Sequence, residues 1–444
     1  MTQNIKFYPT KRLFIKTLTQ DITIHDCILD LMDNAVDAYV KNDLHERRKI
    51  ELSFNKSKFE IYDNCGGITL TDLIEHVFRL GYVNPEQNYK GIGIYGIGLK
   101  RSIFKLGNNI FFETDDGRQY NKFTFSVNKW AEDPDSWELP IEISLGSKLK
   151  RGEKPYTRLI ITELYPETKD AFTVKFQDDF KKTTQIYYTL FIQNNIDIII
   201  NEEKQKHFEI SIITPIGFQP AIYKEKYSDI LITIICWIEP TLVSRLKKTK
   251  GHIGWNIFMN NRLILSDDVS ETTGWTGSRA ELPKFHSIYN EFRGIVLLET
   301  NNPHKLPINT SKNGFNQESA AYIKIKNLMS NTARPLIDYL SKKYKVSKSR
   351  IEEQTDILED TIEAAAESTK TTALALHNIP RKSAFRHPPL KTSTTTQMTT
   401  ITFQTEKNKV DTIKKIIKVK SNWDVGVKSF DYYYKVITSR GENE

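Results

Sequence analysis

The sequence predicts an α+β protein with two successive sheet-bearing units, and three patterns predict it. Between Asp21 and Tyr39, apolar residues (Ile24, Cys27, Ile28, Leu31, Ala35, Ala38) recur at intervals of three and four, which places them on one helical face. The segments ELSFN and FEIYD, beginning at Glu51 and Phe59, alternate apolar and polar residues as half-buried strands do. Short β-branched or aromatic runs then follow from Asp197, Ile210, Ile230, Trp255 and Gly294, the pattern of a mixed or antiparallel second sheet.

Taken in order, the helix at Asp21 is followed by the strand pair, and Asn64, Cys65, Gly66 and Gly67 make a tight turn after it. Thr71 to Leu80 reads as helix and Tyr82 to Lys90 as a polar segment. A glycine-rich run follows. Asn109 to Thr114, Lys122 to Val127, Glu138 to Leu145 and Thr157 to Glu163 are strands, and a helix from about Asp170 closes the first unit near residue 185. The second unit ends in a helix from Phe315 to Leu340, interrupted at Arg334 and Pro335. Lys342 to Glu367 lacks Gly and Pro and reads as an extended helix, and the proline- and threonine-rich stretch Ser368 to Thr400 reads as a linker. The expected division is therefore 1–185, 186–340, 341–400 and a small basic domain at 401–444, with Phe430, Tyr432, Tyr433 and Tyr434 as its core.

Composition narrows the function classes. With 444 residues, 39% apolar and 27% charged, the chain can bury two or three cores, and no run reaches the length of a membrane span. The N-terminus carries no long apolar stretch behind its basic residues, so a cytoplasmic protein is expected. Cys27, Cys65 and Cys236 form no CxxC pair, which speaks against both a disulfide framework and a cysteine zinc site. From Lys370 onward fourteen Lys and Arg face six Asp and Glu, a surplus equal to the +8 of the whole chain. Such a basic tail on a neutral body suits an anionic partner such as nucleic acid, and equally suits plain solubility.

Three motifs in the first hundred residues carry chemistry. Asp30 and Asn34 are four apart on the helix, so a carboxylate and a carboxamide stack one turn above each other and reach a common metal–phosphate centre. Asp63 leaves a strand just before Gly66 and Gly67, where backbone can approach a ligand and the carboxylate offers an oriented acceptor. Gly91 to Lys100 (GIGIYGIGLK) precedes an amphipathic helix and exposes backbone N–H groups that cradle phosphate. It is neither a P-loop nor a dinucleotide fingerprint, since no GK[ST] ends it. Singly each motif reads as ordinary structure; their order and spacing give them weight.

Together they resemble the nucleotide-binding half of the GHKL ATPases, the group named for gyrase, the heat-shock chaperones, histidine kinases and MutL. The resemblance implies a Bergerat-type ATP-binding sandwich using ATP and Mg²⁺. Asp30 would stand in for the glutamate that polarises the attacking water, one methylene shorter. Asn34 would bind Mg²⁺, Asp63 would read the adenine amino group over Gly67, Gly96, Gly98 and Lys100 would form the phosphate lid, and Thr157 would share a water with Asp63. Asp33 is the rival base, but adjacent helix positions diverge by about 100°. GWNIFMNNRLIL from Gly254 and LPINTSKNGF from Leu306 resemble the ribosomal S5-like transducer domain of the MutL, gyrase and MORC branches, with Lys312 reaching the γ-phosphate. The resemblance further implies ATP hydrolysis and an ATP-dependent homodimer that closes as a clamp on nucleic acid, in genome maintenance or phage defence. Lys414, Lys415, Lys418 and Lys420 are the expected nucleic-acid contacts. The alternative is a clamp or chaperone for a protein effector.

Overall fold

The computed structural model describes residues 10–81, 88–133, 136–208, 210–239, 253–352, 371–375, 382–390 and 401–440. Two compact units divide the chain, Met1–Leu390 and Lys391–Glu444. The first holds two large sheets and one continuous apolar core running through both.

α1 (Lys11–Thr19) and α2 (Ile24–Lys41) open the first unit, the second capped by the Thr23 hydroxyl, which accepts from the Asp26 N–H. β1 (Arg48–Phe54) and β2 (Lys58–Asp63) pair antiparallel, with Ile50, Leu52, Phe54, Phe59 and Ile61 buried in the alternation read from sequence. After β2 come a short α3 (Leu70–Asp72), a single π-helical turn, and α4 (Gly98–Leu106), which packs against α2. β3 (Gly107–Asp115), β4 (Tyr120–Ser126), α5 (Val127–Glu132), β5 (Glu142–Ile143) and β6 (Tyr156–Leu164) follow. The strand expected over Glu138 to Leu145 is thus only two residues long.

α6 (Pro166–Ala171), α7 (Val174–Tyr187) and α8 (Thr189–Gln193) lead to β7 (Ile196–Ile200) and β8 (Glu203–Lys204). Here the boundary expected near residue 185 is corrected. β7 pairs parallel with β1, so the eight-stranded sheet runs β5-β4-β3-β6-β2-β1-β7-β8 and the run from Asp197 belongs to the first sheet. A local pattern marks a strand but not its neighbour, and β1 still had an open edge to fill.

The second large sheet comprises β10 (Ala221–Tyr227), β11 (Ile230–Ile238), β12 (Gly254–Met259), β13 (Arg262–Asp268) and β14 (Phe292–Glu299), ordered β10-β11-β14-β12-β13. The inner strand β11 is buried on both faces from Ile232 onward: Ile232, Ile234 and Cys236 face the main core, whereas Ile235 and Trp237 join a second cluster with Ile212 and Phe258. That accounts for an apolar run broken only by Thr233. Trp237, Trp255 and Trp275 are all buried, as core residues of this half.

α9 (Ala320–Glu352) covers β11 as one helix that passes through Pro335 without the expected break. Burial of Ala333, Leu336 and Ile337 around the proline offsets the lost hydrogen bond. Residues 353–370, most of the extended helix expected to Glu367, lie outside the described residues, as do 82–87 and the threonine-rich 391–400. The linker reading of Ser368 to Thr400 is corrected in its middle. β15 (Thr371–Ala375) pairs antiparallel with β9 (Ser211–Pro215), and Ser383 and Arg386 bridge to Ile222 and Gln219.

The second unit, described by itself, is a pair of helices, α10 (Lys407–Ile417) and α11 (Asn422–Arg440). Its expected aromatic core is not one. Phe430, Tyr432, Tyr433 and Tyr434 are 56–72% exposed, and Val425 is the buried apolar residue among the described residues of this unit. Three consecutive tyrosines span about 200° of a helix and cannot share one buried face.

Candidate functional site

A cavity of about 600 Å³ opens between α2, the end of β2 and the start of α4. Asp30, Asn34, Asp63, Gly67, Gly96, Gly98, Lys100, Thr157 and Lys312, all singled out in the sequence, line it.

One end is built by the strands. Asp63, the last residue of β2, is buried and accepts the Cys65 N–H at 2.9 Å, and burial pushes its carboxyl up to about 7. Thr157 on β6 stands directly opposite it in the ladder, with its hydroxyl 3.3 Å from that of Thr114. Gly67 has φ +65°, and a Cβ there would lie 2.3 Å from the Asp115 carbonyl oxygen, so this turn admits only glycine.

The other end is built by the glycine run. The Asp37 carboxylate, one turn beyond Asn34, accepts the N–H groups of Ile92 at 2.8 Å and Gly93 at 2.6 Å. Burial nevertheless raises its carboxyl to about 6. Ile97, at the N-cap of α4, gives that helix no side-chain cap, so the first-turn N–H groups stay available to an anion. Lys100 turns back onto the Gly96 carbonyl at 2.6 Å, and burial lowers its ammonium to about 8. Gly98 has no side chain where a Cβ would come within 3.2 Å of Asp30 Cγ, which lets α4 sit against α2.

Charge concentrates where the two sheets meet. Lys312 comes from the loop between β14 and α9 with φ +54°, a conformation that costs a non-glycine residue about 1 kcal/mol or more. Its Nζ lies 3.2 Å from Asp30 Oδ1 and 2.9 Å from Asp33 Oδ2. Asp33 does not line the cavity, in keeping with its turn away from Asn34. It is buried and also accepts from Arg262 Nε at 3.0 Å and the Tyr188 hydroxyl at 2.6 Å. Burial alone would raise its carboxyl, but Lys312, Arg262 and Tyr188 outweigh it and hold the group at about 2. Arg101 of α4 clasps Asp30 Oδ2 through Nε at 2.6 Å and Nη2 at 2.5 Å.

Asn34 is exposed on the cavity wall. Among the described residues no cluster of three His, Cys, Asp or Glu could hold a metal by itself. A Mg²⁺ ion beside a triphosphate draws most of its ligands from phosphate and water, so one carboxamide at this position fits it. Lys415, Lys418 and Lys420 are exposed and Lys414 is half-buried; they belong to the second unit, around the C-terminal end of α10.

Sequence reasoning missed Arg101, Arg262, Tyr188 and the anchoring role of Asp37. Asp37 was legible, being three residues beyond Asn34 on the same helix. Arg101 could be seen as a cation beside Lys100, but its partner lies 71 residues away. Nothing local marks Arg262, which meets Asp33 across 229 residues.

Residues 22–150 match the family model for the histidine kinase-, DNA gyrase B- and HSP90-like ATPases. This stretch is a GHKL-type ATPase domain. No curated protein matches the chain. The ATPase domain contains every cavity residue singled out from the sequence except Thr157 and Lys312, which lie beyond the matched stretch, and further α/β structure follows it. Among the described residues, no helix is long and apolar enough to cross a membrane.

Proposed function

We propose that the chain binds ATP with Mg²⁺ in this cavity, hydrolyses it, and uses the nucleotide to close a homodimer. The observation that carries the reading is the convergence on one cavity of a buried acceptor at a strand end, an uncapped helix N-terminus behind glycines, and a lysine from the second half. Asp63 and Thr157 read the adenine edge over Gly67. Gly96, Gly98 and Lys100 hold the phosphates. Asn34 holds Mg²⁺, which neutralises phosphate charge. Asp30 orients the attacking water, and Lys312 stabilises the charge that develops on the transferred phosphoryl group.

Lys312 also gives the second half its role. It reaches the cavity from beyond β14, so the second sheet acts as a transducer of the ribosomal S5-like kind found in the MutL, gyrase and MORC branches. The C-terminal unit, with Lys414, Lys415, Lys418 and Lys420 gathered at the end of α10, is the contact for nucleic acid.

Light scattering of the full chain with Mg²⁺ and either ADP or a non-hydrolysable ATP analogue tests this reading, with and without duplex DNA. We expect a monomer with ADP, a dimer with the analogue, and DNA in the dimer peak. One mass under every condition contradicts the clamp, and a dimer that ignores DNA favours a protein partner instead.

A further inference from the structure

Arg101 is one of several cations on the cavity wall, with Lys41, Lys100, Arg118 and Lys312, and it pairs directly with Asp30. It sits in the first turn of α4, 8% exposed, and lines the cavity. Two of its nitrogens, Nε and Nη2, are spent on a single oxygen, Asp30 Oδ2, and Nη2 has a further long contact of 3.4 Å with the Thr310 carbonyl. Its Nη1 takes no protein partner among the described residues.

The arrangement is costly for Asp30 as a base. Oδ2 already accepts two N–H groups and Oδ1 faces the Lys312 ammonium, so most of its acceptor capacity is taken before any water arrives. Three cations, Arg101, Lys312 and Arg262, pair directly with Asp30 and Asp33, while Asp37 acts on Lys312 from farther off as a third carboxylate. Lys312 and Arg262 are both held by the deeply buried Asp33. Arg101 has no such second anchor and is the cation free to change partner.

We infer that Arg101 is a sensor for the terminal phosphate of a nucleoside triphosphate, exchanging Asp30 for that phosphate when ATP is bound. The inference rests on the nucleotide reading of the cavity and adds to it the discrimination of ATP from ADP. A guanidinium suits the exchange because its donors can bridge phosphate oxygens as a fork, which the point charge of Lys312 cannot do. The exchange makes and breaks only ion pairs. It frees Asp30 Oδ2 to accept from a water only when a triphosphate is present, so the base is released by its own substrate. With ADP, Arg101 stays on Asp30.

Calorimetric titration of the full chain with Mg²⁺–ADP and with a Mg²⁺–non-hydrolysable ATP analogue tests the inference through the ratio of the two affinities. In Arg101→Gln, ADP affinity is expected to stay within about threefold of the parent while the preference for the analogue falls at least tenfold. Asp30→Asn loosens the grip on Arg101, so the preference should rise about threefold or more although turnover falls. Arg101→Lys, which keeps the charge should the glutamine variant not fold, is expected to lose several-fold in the same ratio. A ratio unchanged within about twofold in a folded Arg101 variant, or one that falls in Asp30→Asn, overturns the sensor role and leaves Arg101 a static ion pair. Parent protein that binds neither nucleotide overturns the reading of the cavity itself.

Discussion

Asp63 shows how a buried carboxylate lining a cavity can oppose the stability of the fold that holds it. Burial raises its carboxyl from the usual range near 3.8 to about 7, so the folded chain holds that proton more tightly than the unfolded chain does. Its contribution is then fully present below about pH 4 and is lost as the pH rises through about 7. Asp37 has the same sign, raised by burial to about 6. Asp63→Asn keeps an acceptor for the Cys65 N–H and removes the ionisation. The nucleotide-free variant should therefore be more stable than the parent at pH 8, by about 1–3 kcal/mol, with the gap closing towards pH 5. Thermal unfolding at the two pH values checks this, and a gap independent of pH would mean that the carboxyl does not titrate as described. Asp33 behaves oppositely: Lys312, Arg262 and Tyr188 outweigh its burial and hold it near 2, so its contribution is present above about pH 4 and is lost as the pH falls through about 2.

Among elements, α2 carries both the apolar face and the cavity wall, and its two faces were legible in the sequence to different degrees. The apolar face and the pair Asp30 and Asn34 follow from helical period alone, and the ladder of β1 and β2 follows from alternation. What locks α2 to β13 does not. Asp33 meets Arg262 and Lys312 across 229 and 279 residues, and no local pattern encodes a contact of that span. The same limit hid the pairing of β7 with β1 and of β15 with β9, since a strand pattern specifies a face and leaves the partner open. Pro335 failed as a stop signal because packing around it overrode the local rule. The buried cluster itself is testable. Arg262→Met should cost about 3–5 kcal/mol, because it strips Asp33 of a buried partner and leaves only Lys312 and Tyr188 to hold the charge. The midpoint of denaturant unfolding reads that loss, and a change below about 1 kcal/mol would show that Asp33 is not held by Arg262.

At the scale of the whole molecule, the useful boundary lies at Leu390. Residues 371–375 and 382–390 pair with β9 and bridge to β10, so a chain ending after Thr369 loses sheet structure that a chain ending at Leu390 retains. Truncation at Leu390 is expected to leave the melting temperature and nucleotide binding of the first unit intact and to remove most duplex DNA binding. Truncation at Thr369 should lower the melting temperature as well. Anisotropy titrations at about 50 and 200 mM salt follow the DNA term, which should weaken steeply with salt if lysines neutralise phosphates. Full duplex binding by the chain ending at Leu390 would remove the second unit from the nucleic-acid interface. The proposed ATP site is the cavity between α2, β2 and α4, with Asp63 as its adenine acceptor. Calorimetric titration of the full chain and of Asp63→Asn with Mg²⁺ and a non-hydrolysable ATP analogue tests it most directly. Saturable one-site binding is expected of the parent, with at least a tenfold loss in the folded variant from about 1.5–3 kcal/mol of charge-assisted bonding; equal affinity in the two proteins would show that Asp63 does not hold the nucleotide.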